Sequence, residues 1–97
     1  MKLAKTQHKQ ILELTTQFGI KPEEVFFVKK KGRIRINLPN REDYFEFFKR
    51  KTTTINDDRQ WEEHLIFEVN TGADLLTVNS WEQVFESFGK WLENTRQ

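Results

Sequence analysis

Apolar and polar residues alternate in four short stretches of the chain, and the stretches form two pairs separated by a glycine. They are residues 25–30 and 33–38 around Lys31-Gly32, and residues 65–70 and 73–78 around Thr71-Gly72. A hydrophobic period of two indicates strands with one buried face, and a glycine between two such runs is typical of a hairpin turn. The pattern therefore predicts two β-hairpins.

The alternation also predicts which side chains share a face. With a two-residue turn at Lys31-Gly32, Phe27 lies opposite Ile36 and Val25 lies opposite Leu38. The buried face is then expected to carry Val25, Phe27, Ile34, Ile36, Leu38, Leu65, Phe67, Leu76 and Val78. The outer face is expected to carry Phe26, Val28, Lys30, Arg33, Arg35, Asn37, Ile66, Glu68, Leu75 and Thr77.

Three further stretches have the period of an α-helix. Residues 3–18 end at Gly19, a typical left-handed C-terminal position, and residues 41–51 follow the N-cap candidate Asn40. The third, residues 81–94, follows a capping box of Ser80 and Gln83. Its apolar positions, at near-heptad spacing, are Trp81, Val84, Phe85, Phe88, Trp91 and Leu92. Residues 52–60 are predicted to be a polar connector.

Residues 25–48 and 65–88 align without a gap and share six identities, where composition alone gives about one or two. Each copy is predicted to be a ββα unit. The expected fold class is α+β, in the order α-ββα-ββα, with a four-stranded, mainly antiparallel sheet and helices packed on it. The 97 residues predict a single domain: an N-terminal helix within 1–19, a first unit within 25–51 and a second within 65–94.

The position of the first helix has two alternatives. It either covers the outer sheet face, or joins the other two helices and leaves that face open for another subunit or a ligand chain. Arg35 lies near the middle of the outer face, and an apolar helix laid over it would bury a charge whose one obvious partner is Glu68. This favours the open arrangement.

Charge and composition narrow the class of protein. Charged residues make up 32% of the chain, yet the net charge is +1, so any electrostatic attraction must come from local clusters. Cysteine is absent, which fits a reducing compartment, and no window resembles a signal peptide or a membrane span. We expect a soluble, cytoplasmic protein without a membrane partner.

One local cluster is basic: Lys29, Lys30, Lys31, Arg33 and Arg35 in the first hairpin. Interleaved with Phe26 and Val28, it suits a phosphate backbone with a base stacked on the aromatic ring. The other interpretation is a solvated hairpin whose lysines prevent edge-to-edge pairing of sheets.

Residues suited to catalysis or metal binding do not form a recognisable pattern. His8 and His64 are far apart in sequence, and the carboxylates occur as adjacent pairs that do not converge, such as Asp57-Asp58 and Glu62-Glu63. The glycines do not form a phosphate-binding loop. We predict no catalytic residue, no metal site and no cofactor.

The excess of apolar side chains without a catalytic pattern favours a small, non-enzymatic protein-interaction module. Its partner would be another protein chain or a second copy in a homodimer. The predicted interface residues are Phe26, Val28, Arg35, Phe47, Trp61, Ile66 and Leu75. The alternative is a nucleic-acid-binding domain that uses the basic hairpin, residues 29–35.

Overall fold

A computed structural model describes residues 3–39 and 41–94 and shows an α+β fold with one antiparallel sheet of five strands in the order β1-β2-β3-β4-β5. The elements are α1 (Lys5–Gln17), a 3-10 turn (Pro22–Glu24), β1 (Phe26–Lys30), β2 (Arg33–Asn37), β3 (Phe45–Ile55), β4 (Trp61–Asn70), β5 (Leu75–Val78) and α2 (Trp81–Glu93). Each strand is hydrogen-bonded to the next one along the chain, so the sheet is a simple meander.

The first hairpin has the predicted register, with Phe27 opposite Ile36. Its turn residues Lys31 and Gly32 both have positive φ, 48° and 78°. Two such residues match the right-handed twist of the strands, and Gly32 adopts this conformation without the cost that a Cβ would add. The predicted faces are also correct, since Ile34 and Ile36 are fully buried.

The helix predicted for residues 41–51 is wrong, because Phe45 onward forms β3. Phe45 and Phe47 alternate with Glu46, which places the two rings on the buried face and the carboxylate on the outer face, where Arg35 lies opposite. The connector predicted for residues 52–60 is also wrong in part. Thr52 to Ile55 complete β3, as expected for β-branched side chains. The predicted N-cap Asn40 lies outside the described residues.

The second hairpin forms with a longer turn than predicted. Residues 71–74 make the turn, in which Thr71 N donates to Asp74 O at 3.0 Å, and Asn70 pairs with Leu75. This register differs by two residues from that of a two-residue turn. A shift of two keeps every side chain on its face, so the predicted faces survive the change.

The predicted internal ββα repeat is not reproduced. Each of the two similar segments contains a hairpin, but residues 45–48 belong to β3 whereas residues 81–88 belong to α2. The sheet therefore has five strands where four were predicted, and the described residues contain two α-helices where three were predicted.

Both helices lie on the same side of the sheet. The ring of His8 in α1 is 4.6 Å from that of Phe27, and the ring of Phe88 in α2 is 5.0 Å from that of Phe45, both on the inner face. Buried Ile11 of α1 and Phe88 of α2 belong to one core cluster. Of the two alternatives for the first helix, the structure therefore has the one that leaves the outer sheet face open.

The middle of the sheet extends into a long two-stranded ribbon. β3 pairs with β2 only through Phe45–Phe47, and β4 pairs with β5 only through Phe67–Asn70. Residues 49–66, which we call the arm, consequently form a ribbon of β3 and β4 alone, and the molecule reaches 51 Å in its longest dimension. A two-stranded ribbon without further cover is marginally stable in water.

Candidate functional site

The open outer face is apolar at its margins and charged at its centre. One row across the five strands consists of Val28, Arg35, Glu46, Asn70 and Leu75. The two apolar members are on the edge strands and are exposed. A partner that covered the whole face would have to desolvate the charged centre.

The centre of the outer face is a closed ionic cluster around Glu46. Glu46 is buried, and its carboxylate accepts hydrogen bonds from Arg35 Nε at 2.9 Å and from Arg33 Nη1 at 3.4 Å. The guanidinium of Arg35 stacks 4.0 Å from the centre of the Tyr44 ring, and that of Arg33 lies 4.8 Å from the Phe48 ring. Arg35 therefore has a carboxylate partner, and it is Glu46, not Glu68.

The predicted interface residues are not brought together. Phe47 is fully buried in the core, so its prediction as a surface aromatic is wrong. Trp61 is 70% exposed, but it lies at the far end of the arm opposite Ile55. Ile66 is half-buried at the base of the arm, and Phe26 is exposed on the β1 edge. Leu75 belongs to the opposite edge.

The two edges of the sheet differ in how they are protected. The β1 edge ends in Lys29 and Lys30, and charged residues of this kind discourage the addition of another strand. The β5 edge, Leu75–Val78, contains no charge and no proline. Leu75 is 72% exposed and Leu76 is 45% exposed. An unprotected apolar edge is a ready template for pairing with an extended chain.

The β5 edge presents unpaired backbone groups at alternate residues. Because Thr71 and Asp74 are hydrogen-bonded at the turn, the antiparallel pattern makes Leu76 and Val78 bond to β4. Leu75 and Thr77 then direct their N–H and C=O groups away from the sheet. These groups can form the ladder of an additional strand.

A recess of about 260 Å³ lies beside this edge, between β5 and the C-terminal half of α2. Its lining residues are Thr71, Asp74, Leu76, Ser87, Lys90, Trp91 and Asn94. An extended chain added to β5 would place every second side chain on the helix side of the sheet, where this recess is. We call the β5 edge and the recess together the β5–α2 groove.

Local sequence fixes the helix that forms one wall of the groove. Ser80 Oγ accepts a hydrogen bond from Gln83 N at 3.3 Å, and Gln83 Oε1 accepts one from Asn79 N at 2.6 Å, which starts α2 as predicted. The predicted stripe is confirmed, with Val84, Phe88, Trp91 and Leu92 buried.

The C-terminal half of α2 is held by a cluster of three side chains. Asp43 Oδ2 accepts a hydrogen bond from Trp91 Nε1 at 2.9 Å and from Arg41 Nη2 at 2.7 Å. The Arg41 guanidinium also stacks 3.7 Å from the centre of the Trp91 ring. Hydrogen bonding and charge from Arg41, aided by the Trp91 N–H, lower the pKa of Asp43 below its ordinary value in spite of partial burial. This cluster fixes Trp91, one of the residues that line the groove.

The basic hairpin forms a second recess, on the outer face. It has a volume of about 290 Å³ and is lined by Lys30, Lys31, Arg33, Arg35 and Glu46. Lys29 points to the opposite face, where it lines a recess with His8 and Phe27. The five predicted basic residues are therefore divided between two faces, and Glu46 compensates part of the charge on one of them.

The histidines and carboxylates do not converge on a common point. His64 Nε2 lies 2.9 Å from Thr54 Oγ1 on the arm, and His8 packs on Phe27. Among residues 3–39 and 41–94, no group of three or more His, Asp or Glu side chains is arranged to hold a metal ion. In the same ranges no helix is long and apolar enough to cross a membrane.

Sequence patterns identified one wall of the groove but not the groove itself. The helix stripe and the inward position of Leu76 were predicted, but α2 and β5 are neighbours only because the sheet is a meander that ends at β5. The available signal was the absence of any charged residue from Leu75–Val78.

Comparison with known proteins adds no relative: no protein-family model, curated protein or solved structure matches this chain.

Proposed function

We propose that this chain is a protein-binding module that takes up an extended segment of another protein in the β5–α2 groove. The observation that carries the proposal is the uncharged, exposed edge strand Leu75–Val78, which lies beside a recess of about 260 Å³. The proposal includes no catalytic role. It places the protein in the cytoplasm, on the ground that cysteine is absent from the sequence.

The backbone of the bound segment would supply affinity and its side chains would supply specificity. Its N–H and C=O groups would bond to those of Leu75 and Thr77, which extends the sheet to a sixth strand. Alternate side chains would enter the recess against Leu76 and Trp91, both of which favour an apolar or aromatic residue. Lys90 and Asp74 at the rim would select the charges at either end of the segment.

A library of random peptides displayed on phage tests the proposal. Peptides would be selected on the wild-type chain, and their affinities measured for Thr77→Pro and Leu76→Asp. Proline at an edge position removes the outward N–H but leaves the bonds to β4, and aspartate places a charge in the recess. We expect each variant to lose about tenfold or more in affinity, the effect of one or more lost hydrogen bonds or apolar contacts.

A matched control is Lys29→Pro, which makes the same backbone change on the β1 edge. Lys29 lies opposite Ile34, one residue from the turn, so its N–H also points away from the sheet. This variant should keep the wild-type affinity. Selected peptides that bind Thr77→Pro and Leu76→Asp as tightly as the wild type would contradict binding in the β5–α2 groove.

A second candidate function is binding of nucleic acid by the basic hairpin. The observation that favours it is the outer-face recess lined by Lys30, Lys31, Arg33 and Arg35. Because Glu46 bonds to both arginines, the two lysines would make most of the phosphate contacts. The test is retention on a DNA column. Retention of the wild type that is lost in Lys30→Gln/Lys31→Gln would support this candidate, and a wild type that is not retained at low salt would contradict it.

A further inference from the structure

The arm has a free edge on β3 that no described residue covers. β2 pairs with β3 as far as Phe47, and the β1–β2 turn lies beside the next two residues, so the free edge consists of residues 50–55. The end of this edge, Thr52–Ile55, contains neither charge nor proline, and strands that follow this pattern add to other strands. An isolated two-stranded ribbon gains stability when a third strand covers it.

The arm also separates positive from negative charge along its length. The base of the arm and the adjacent β1–β2 turn carry Lys31, Arg33, Lys49, Arg50 and Lys51, all exposed. The tip and its β4 side carry Asp57, Asp58, Glu62 and Glu63, also exposed, with Arg59 among them. At about 3.3 Å per residue along β3, Arg50 and Asp57 lie about 23 Å apart, and Glu62 and Glu63, which pair with Thr54 and Thr53, lie between them.

From this arrangement we infer that two copies of the chain form a homodimer by antiparallel pairing of their β3 edges in the arm. A two-fold axis at Thr54 places residue 51 of one copy opposite residue 57 of the other, so Lys51 meets Asp57 at both ends of the interface. Asp58 then lies opposite Arg50 and next to the β1–β2 hairpin, whose Arg33 stacks on Phe48. The arms of the two copies become one four-stranded sheet.

The charge distribution selects the β3 edge over the other free edge of the arm. Residues 61–66 of β4 are also unpaired on the side of β5. Pairing of two β4 edges would bring the acidic tip of one copy next to Val78 and Asn79 of the other, which carry no charge. Only pairing of the β3 edges places the acidic tip of each arm against the positively charged base of the partner's arm.

The dimer goes beyond the proposed peptide groove and does not depend on it. The groove occupies the β5 edge, on the opposite side of the sheet from the β3 edge of the arm. Thr77→Pro should therefore leave the mass in solution unchanged. Failure of one proposal leaves the other standing.

Complementary charge reversal tests the dimer. One variant, Asp57→Lys/Asp58→Lys, makes the tip basic. The other, Lys31→Glu/Lys49→Glu/Lys51→Glu, makes the base acidic, because it reverses all three lysines there and leaves Arg33 and Arg50, which are paired with Glu46 and Glu68. Each variant alone opposes like charges at both ends of the interface, whereas an equimolar mixture restores opposite charges at both ends. We expect light scattering to give the mass of a dimer for the wild type and the mixture, and that of a monomer for each variant alone.

Two controls keep the test interpretable. Lys49 Nζ lies 5.6 Å from the Trp81 ring centre, so near-ultraviolet circular dichroism should check that Lys31→Glu/Lys49→Glu/Lys51→Glu keeps its aromatic packing. Salt of about 1 M shortens the screening length to about 3 Å and should shift the wild type toward monomer. The inference is overturned if the wild type is a monomer at about 100 µM in low salt. It is also overturned if either variant alone is a dimer, or if their mixture stays monomeric.

Discussion

Residues 41–52 and 81–92 have glutamate and phenylalanine at the same four positions, but the first segment leads into β3 and the second forms most of α2. The matched pairs are Glu42 and Glu82, Phe45 and Phe85, Glu46 and Glu86, and Phe48 and Phe88. Between its glutamate and its last phenylalanine, the first segment has Phe47, and the second segment has Ser87 at the equivalent position. This pair of segments shows what selects strand or helix when the shared residues permit both.

The residues that are not shared decide the outcome. Phe47 gives the first segment an apolar period of two with Phe45, and the run of threonines that begins at Thr52 consists of β-branched residues, which favour a strand. In the second segment, Trp91 and Leu92 extend the stripe of Val84 and Phe88 to three helical turns. Lys51 and Thr52 occupy those two positions in the first segment, so a helix there would lose its apolar face after one turn.

The largest expected effect concerns which phenylalanine of each pair supports the core. Phe45 and Phe88 are fully buried, whereas Phe48 and Phe85 are half-buried. We expect Phe45→Ala and Phe88→Ala each to lower the free energy of unfolding by about 3–5 kcal/mol, and Phe48→Ala and Phe85→Ala by less. Urea denaturation of the four variants measures this. A Phe85→Ala loss as large as that of Phe45→Ala would mean that the first segment packs like the second.

A smaller difference is expected between the paired glutamates. Glu46 is buried and binds two arginines, while Glu86 is exposed and lies 3.5 Å from Lys90, one helical turn away. Glu46→Gln should cost about 1–2 kcal/mol, since Arg33 and Arg35 are partly solvated and recover some hydration. Glu86→Gln should change stability by at most about 0.5 kcal/mol. Equal effects in thermal denaturation would contradict the position of Glu46 on the sheet.

The start of the helical segment gives an effect of similar or smaller size. Ser80 Oγ accepts a hydrogen bond from Gln83 N, so Ser80→Ala should cost about 1 kcal/mol of unfolding free energy, and Ser80→Asp should retain most of the stability. The measurement is the midpoint of urea denaturation for both variants. If the two substitutions destabilise equally, the hydrogen bond at the start of α2 has no role.

The smallest expected effect is a dependence on pH through Asp43, which joins the two segments by its bonds to Arg41 and Trp91. Because folding lowers the pKa of Asp43, its contribution is fully present above the ordinary carboxyl pKa of about 3.9 and disappears as pH falls through the lowered, folded-state pKa. Asp43→Asn should reduce the loss of stability on acidification in this range. Arg41→Met, which removes the main cause of the lowered pKa, should do the same. An unchanged acid profile in both variants would refute the coupling.

Local patterns in the sequence predicted the elements whose side chains have one clear period. The first hairpin, its faces and the stripe of α2 follow from such patterns, and the same holds for the end of α1 at Gly19, where φ is +78°. Residues 41–51 could not be predicted in this way, because Tyr44, Phe45 and Phe48 fit a helix while Phe45 and Phe47 fit a strand. The partners that favour the strand, Ile36 of β2 and Val69 of β4, are distant in sequence.

The candidate site depends on contacts at long sequence separation, and this limited its prediction. Exposed Leu75 was identified from its position in the alternation, but the recess beside it is lined by residues of both β5 and α2 and so depends on the tertiary fold. The arm was missed for a related reason. The threonines at 52–54 are polar, which predicted a connector, but they are also β-branched, and pairing with residues 62–64 makes them part of a strand.

Residues 45–55 form a strand between β2 and β4, and both the groove and the free edge of the arm depend on this meander. Nuclear magnetic resonance of the labelled chain tests it most directly, through Cα chemical shifts and cross-strand contacts. We expect strand shifts from Phe45 to Ile55 and contacts of Thr53 with Glu63 and of Phe47 with Val69. Helical shifts over residues 41–51, with contacts between residues three apart, would contradict it.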